Sequence, residues 1–257
     1  YPWFLIKEME KREKFDYATE LAFKHMNKDP IKASLLLARI AYGKAFTKYY
    51  MDSDKFFYES IIIPLEVAGL SEGISVIARV LRLASKARYF YVIYEAIKDF
   101  LLPLIEKEQN TILRARYLAI TSHLALPVSI GWSINIAREA ISILKDAIDA
   151  ETLMLYYDLN VFGSPLSFVA KMLDIIPVLS EIAFVLPQDA IGLVRRVIGI
   201  CEKLMSLYIR MLRRKRRWRV RSDIFDFAKK LGTIVAISRN VPEIHSQIYS
   251  IGNQFIH

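Results

Sequence analysis

Cysteine is almost missing from this chain: Cys201 is the only one in 257 residues. A lone cysteine excludes an intramolecular disulfide framework. Its setting "VIGICEKL" reads as a helix core position, so a reducing, cytoplasmic home is the expectation. Glycine and proline are scarce as well, nine of each, which argues against a fold made of many tight turns and for long regular elements. Asn and Gln together number ten against 33 Ile, a balance that leans towards a thermophile. The four histidines, His25, His123, His245 and His257, stand too far apart for any two to share a helix face. "EIH" at 243–245 could supply two ligands and nothing supplies the rest, so no metal and no cofactor are expected.

Catalytic signatures are missing in the same way. Gly-x-Ser-x-Gly, Gly-x-x-x-x-Gly-Lys and Gly-x-Gly-x-x-Gly do not occur. Cys201 has Glu202 and Lys203 beside it, but successive residues do not face each other on a helix. Asp146, Asp149 and Glu151 cluster as paired carboxylates would, on what reads as a solvated helix end. His123 reads as a satisfied residue of an apolar helix. No catalytic residue is therefore assigned, and the expectation is a protein without enzymatic chemistry.

Charge is missing from one long stretch. Residues 117–137, "YLAITSHLALPVSIGWSINIA", carry no Asp, Glu, Lys or Arg. That is about the length of a bilayer-spanning helix. Pro127 and Gly131 would break it into two helices of about 10 residues, each too short to cross. Two buried helices are expected rather than a transmembrane span. The opening "YPWFLIKEMEKREK" brings charges at once and no cleavage site, so no signal peptide is read there. A first residue that is Tyr rather than Met is what a piece of a longer protein would show.

What is present is helical rhythm, on a composition 54% apolar and 25% charged. In "KASLLLARIAYGKAFTKYY" the apolar Leu36, Ile40, Ala41 and Ala45 recur at helical spacing, opposite Arg39, Lys44 and Lys48. The same period runs through "GISVIARVLRLASKARYFYVIYEAIKDFLL" and "AIGLVRRVIGICEKLMSLYIRML". Strand alternation between turn dipeptides is lacking, so the fold class is all-α. Helix breaks are predicted at Asn27–Pro30, Met51–Asp54, Gly69–Gly73, Glu108–Thr111, Pro127–Gly131, Phe162–Pro165 and Pro187–Asp189. Asp54, Ser71, Asn110 and Ser222 are offered as N-caps. The aromatic bursts "YFYVIY" at 89–94, "AYGKAFTKYY" at 41–50 and "YY" at 156–157 are expected to fill space between helices.

Three segments share a pattern: "IIPLE" at 62–66, "LLPLIE" at 101–106 and "IIPVLSE" at 175–181. Their prolines, Pro64, Pro103 and Pro177, are 39 and 74 residues apart, close to one and two periods of 37–40 residues. "AISIL" at 140–144 occupies a fourth register without its proline. Each is followed by an apolar helix bearing arginine, and that period is the length of one helical hairpin. Over roughly residues 15–205 the chain resembles the tetratricopeptide-like and HEAT-like helical-repeat families, by period and helix pairing and without their residue signature. The resemblance implies stacked antiparallel helical hairpins, an α-solenoid, and a role in binding macromolecules. The alternative is an irregular helical bundle. One domain over 1–257 is expected, divisible into a repeat region 1–190 and a basic C-terminal part 191–257.

Positive charge is concentrated rather than spread. Residues 139–189 hold two basic and eight acidic side chains, whereas 195–221 hold eleven basic and one acidic. "RMLRRKRRWRVR" at 210–221 alone supplies eight of the basic residues. Cations suit a helix C-terminus, which accounts for Arg213 and Arg214. It does not account for the remainder. The anion-binding candidates are Arg210, Arg213, Arg214, Lys215, Arg216, Arg217, Trp218, Arg219 and Arg221. Arginine pairs bidentately with phosphate or carboxylate, and Trp218 could stack on a base. Arg39, Arg79, Arg82, Arg116, Arg195 and Arg196 could extend the cluster into a groove. A binding or scaffold module for an anionic partner is expected, an acidic protein or a nucleic acid. Self-association through the 139–189 segment is a further reading, and a membrane surface a weaker one.

Overall fold

The computed structural model describes residues 15–46, 52–158 and 165–215, together with 242, 245 and 246. Among these the protein is all-α, without a strand. The helices are α1 (Phe15–Met26), α2 (Pro30–Ala45), α3 (Ser53–Lys86), α4 (Phe90–Glu95), a π-helical Ala96–Leu101, α5 (Leu102–Glu106), α6 (Thr111–Ala125), α7 (Ile130–Asp158), α8 (Pro165–Ile182) and α9 (Pro187–Lys215). The chain divides into two compact units, Tyr1–Lys107 with Leu124–Ser133, and Glu108–His123 with Ile134–His257.

In the first unit, Asp29 caps α2: its Oδ1 accepts from Lys32 N at 3.0 Å, and Pro30 fills the first helical position. Helices adjacent in sequence pack together, α1 on α2 and α2 on α3. Ala33, Ala38 and Ala41 keep α2 slim on its buried side. Ser34 Oγ can therefore reach the Ser60 carbonyl on α3 at 2.6 Å. Leu37, Ile40, Phe57, Ile61, Ile77 and Leu81 are fully enclosed. Each such side chain contributes roughly 1.5–3 kcal/mol by leaving water. Lys44 does not share the solvated face with Arg39. It is buried, its Nζ 3.7 Å from Asp52 Oδ2 and 4.7 Å from the centre of the Phe56 ring.

The break predicted at Gly69–Gly73 lies inside α3. Gly69 has φ 66° and ψ −172°, a conformation essentially confined to glycine. A Cβ on Gly73 would stand 2.9 Å from the Pro64 carbonyl oxygen. Along one straight helix those residues would be about 13 Å apart. The chain therefore turns back on itself at Gly69, and α3 is a helical hairpin of two arms. This matters for the membrane question. Among the described residues, Ser53–Lys86 is the one helix long and apolar enough to cross a bilayer. Each arm measures roughly 25 Å, short of the hydrocarbon core. The charge-free 117–137 stretch is likewise divided, by the turn between Ala125 and Ile130.

The helical period of residues 73–102 runs straight through one helix end. α3 stops at Lys86, with Arg88 in the left-handed region at φ 64°. Arg88 N donates to Ser85 O and Tyr89 N to Ala84 O, a Schellman closure with arginine in the position glycine usually holds. No residue type signals it. Two other predictions shift as well. The Pro187–Asp189 break lies earlier, at Ala183–Leu186, and Pro187 begins α9. Asp54 is not a cap, because α3 starts at Ser53. Asn110 does cap α6, accepting from Ile112 N and Leu113 N at 3.1 Å each. Upstream of Pro103, which lacks an N–H, the helix widens into i→i+5 bonding, with Leu102 N donating to Ile97 O.

In the second unit α7 is the hub. Arg114 on α6 meets Glu139, Lys171 on α8 meets Glu151, and Arg196 on α9 meets Asp149. α8 packs along α9. Leu144, Ile148, Leu173, Ile176, Leu179, Val194 and Val197 are enclosed between these helices.

Candidate anion-binding face

α9 is a continuous helix of 29 residues, about 43 Å long. One side of it is core: Ala190, Leu193, Val194, Val197, Ile198, Cys201 and Leu204 are all buried. The opposite side carries the charge. At about 100° per residue, positions 195, 196, 203, 210, 213 and 214 fall within one arc of about 100°. From Ala190 onward the other positions in that arc are Gly192, Gly199 and Ser206. Arg195, Arg196, Lys203, Gly192 and Ser206 are exposed there. The arc thus holds six cations and three small residues, without an apolar side chain. Two acidic residues of α9 flank it, the half-buried Glu202 about 20° beyond one edge and the exposed Asp189 in the first turn about 20° beyond the other.

By helical register Arg210, Arg213 and Arg214 fall on the same arc as Arg195 and Arg196, and Lys215 falls about 100° off it; the side chains of these four C-terminal residues lie outside the described ones. Arg216, Arg217, Trp218, Arg219 and Arg221, like the proposed cap Ser222, lie outside the described residues. The remaining groove candidates lie on other helices. Arg39 is half-buried on α2, while Arg79 and Arg82 are exposed one turn apart on α3, all three in the first unit. Arg116 is exposed on α6 of the second unit. Lys203 was not among the expected residues. The seven-residue spacing of Arg196, Lys203 and Arg210 was its signal, two helical turns each.

Among the described residues nothing packs on two glycines of α9. A Cβ on Gly192 or Gly199 would meet nothing within 4 Å. A glycine inside a helix costs about 1 kcal/mol relative to alanine, so both weaken α9 without admitting a neighbour.

The other chemistry-bearing residues are accounted for locally. Cys201 is enclosed, and its thiol is pushed up to about 12, first by burial and then by the charge of Glu202. It holds its proton at neutral pH and is no nucleophile there. His123 stacks on Phe184 with ring centres 5.3 Å apart. Asp146, Asp149 and Glu151 sit within α7 rather than at its end. Among the described residues no group of three His, Cys, Asp or Glu side chains converges. The aromatic burst at 89–94 divides: Tyr89 packs on Phe57, whereas Phe90, Tyr91 and Tyr94 are exposed. A cleft of about 370 Å³ is lined by Asn110, Thr111, Ala147, Glu151, Lys171 and Ile175. Glu151 and Lys171 pair at 3.3 Å, so its charges offset each other.

No protein-family model, no curated protein and no solved structure matches the chain.

Proposed function

We propose that this protein is a non-enzymatic binding module of the helical-repeat kind, which holds an anionic macromolecule on the basic face of α9 and the cluster 210–221. One observation carries the reading: the helical register of α9 puts six cations on one arc, opposite a buried apolar side. Among the described residues such a face gains little. Isolated like charges at helical spacing repel one another, and exposed pairs such as Arg196–Asp149 are worth at most about 1 kcal/mol. A macromolecular counterion removes that repulsion. The hairpin of α3 around Gly69 and the pairing of successive helices agree with repeat architecture. Self-association through the 139–189 segment is the weaker reading, because Glu139, Asp149 and Glu151 already have partners on neighbouring helices.

The test is binding of labelled polyanions, an oligonucleotide and polyglutamate, followed by fluorescence anisotropy. The comparison is a variant with Arg213, Arg214, Lys215, Arg216 and Arg217 changed to Gln. The wild type should bind at least one polyanion with salt-sensitive affinity, and the variant should lose most of it. A wild type that binds neither at low salt sinks the proposal.

A further inference from the structure

We infer that the occupant of this face is a nucleic acid, gripped by its phosphate backbone along the whole arc from Arg195 to Arg214 rather than by the terminal cluster alone. The inference rests on the anion-binding reading above and names its partner. Three observations select a polyphosphate over the other anionic surfaces.

The arc contains no apolar or aromatic residue between positions 192 and 214. A protein partner held at equilibrium needs a desolvated anchor, usually aromatic or arginine in a fitted pocket, and a bare row of cations and small residues offers no apolar one. A lipid surface is taken up by an amphipathic helix that buries its apolar side in the acyl boundary. On α9 that side is already committed to the core through Val194, Val197, Cys201 and Leu204. A nucleic acid needs neither. Its charge repeats along a line, and its affinity comes from releasing condensed counterions as each phosphate meets a cation.

The row also has the right shape. Arg195 to Arg214 spans about 28 Å along the helix axis. Gly192, Gly199 and Ser206 recur every seventh residue between the cations, and the space above both glycines is open. Long arginines flanking a smooth floor let a sugar–phosphate chain lie close to the backbone. Base edges are not read by such a floor, so binding is expected to be independent of sequence.

The experiment measures anisotropy of labelled oligouridylate and of labelled duplex DNA across roughly 50–200 mM salt, the range over which phosphate binding falls steeply. Polyglutamate is run beside them. Three proteins are compared: the wild type, the 213–217 Gln variant, and Arg195→Gln/Lys203→Gln. Both residues of the last variant are exposed, and circular dichroism verifies its fold. Arg195→Lys/Lys203→Arg serves as the charge-retaining control. On oligouridylate the log–log salt slope of Arg195→Gln/Lys203→Gln should be shallower than the wild type by about 1.4, two cations at about 0.7 each. The charge-retaining control should keep the wild-type slope. An unchanged slope for Arg195→Gln/Lys203→Gln, with loss in the 213–217 variant, overturns the extended face and leaves the anion-binding reading standing. Tighter binding of polyglutamate than of either nucleic acid overturns the nucleic-acid assignment and points to an acidic protein. No binding of any polyanion overturns both.

Discussion

Asp149 on α7 pairs with Arg196 on α9, so a carboxylate from a neighbouring helix already occupies one edge of the basic arc. Both side chains are about half exposed, and the pair contributes little to stability. It does hold one of the six cations away from any external phosphate. Asp149→Asn should therefore strengthen oligonucleotide binding and steepen its salt slope by about 0.7. The melting temperature should change little. A weaker-binding Asp149→Asn protein would show that Asp149 orients Arg196 for the partner instead of competing with it.

Gly192 and Gly199 separate folding from binding. With open space above each, Gly192→Ala and Gly199→Ala should each stabilise the protein by about 1 kcal/mol, seen as a higher urea midpoint. Gly199→Leu would keep the helix yet raise a bulky side chain between Arg195, Arg196 and Lys203. Its oligonucleotide affinity should fall while its urea midpoint does not. A Gly199→Leu protein with wild-type affinity would remove the floor from the binding surface.

Gly73 behaves in the opposite sense. The methyl group of Gly73→Ala would press on the Pro64 carbonyl at 2.9 Å, a backbone atom that cannot rotate aside. The arms of α3 would have to separate, at a cost of roughly 1–3 kcal/mol by the ordinary scale of overpacking. Gly69→Ala should also destabilise by about 1–3 kcal/mol, through its backbone conformation alone. Chemical denaturation of the two variants measures both. Neutral results would mean that α3 is not folded back at Gly69.

Arg88→Gly should stabilise by about 1 kcal/mol, because the left-handed closing position of α3 is strained for any residue with a Cβ. A lower melting temperature would instead mark the Arg88 side chain as a structural contact.

Cys201 gives a pH signature. Burial raises its thiol from 9.0 to about 12, so as pH rises past 9.0 the unfolded chain ionises while the folded chain does not. Its contribution to stability is complete below that value and is lost as pH climbs towards about 12. Urea midpoints below and above pH 9.0 should diverge less in Cys201→Ala than in the wild type. A native thiol that reacts rapidly with a disulfide reagent at neutral pH would contradict its enclosure.

The amino-acid sequence by itself determined the all-α class, because helical periodicity and the scarcity of turn residues are local properties that burial only reinforces. Asn110 as a cap and the breaks at Asn27–Pro30, Glu108–Thr111 and Pro127 were legible for the same reason. So was the concentration of charge near 210, since charge is a sum over residues. The Schellman closure at Arg88 was not legible, because an arginine in a left-handed conformation is held there by its surroundings. Nor was the burial of Lys44, which sits at a polar position of the α2 pattern and is enclosed because α3 brings Asp52 and Phe56 to it. The fold-back of α3 needed the Gly73–Pro64 approach to be seen. The binding face divides along the same line. The sequence supplies a run of cations and fixes which of them share an arc. Which side of α9 the core would claim, and therefore whether that arc would meet water or helix α8, was decided only by the packing of the second unit.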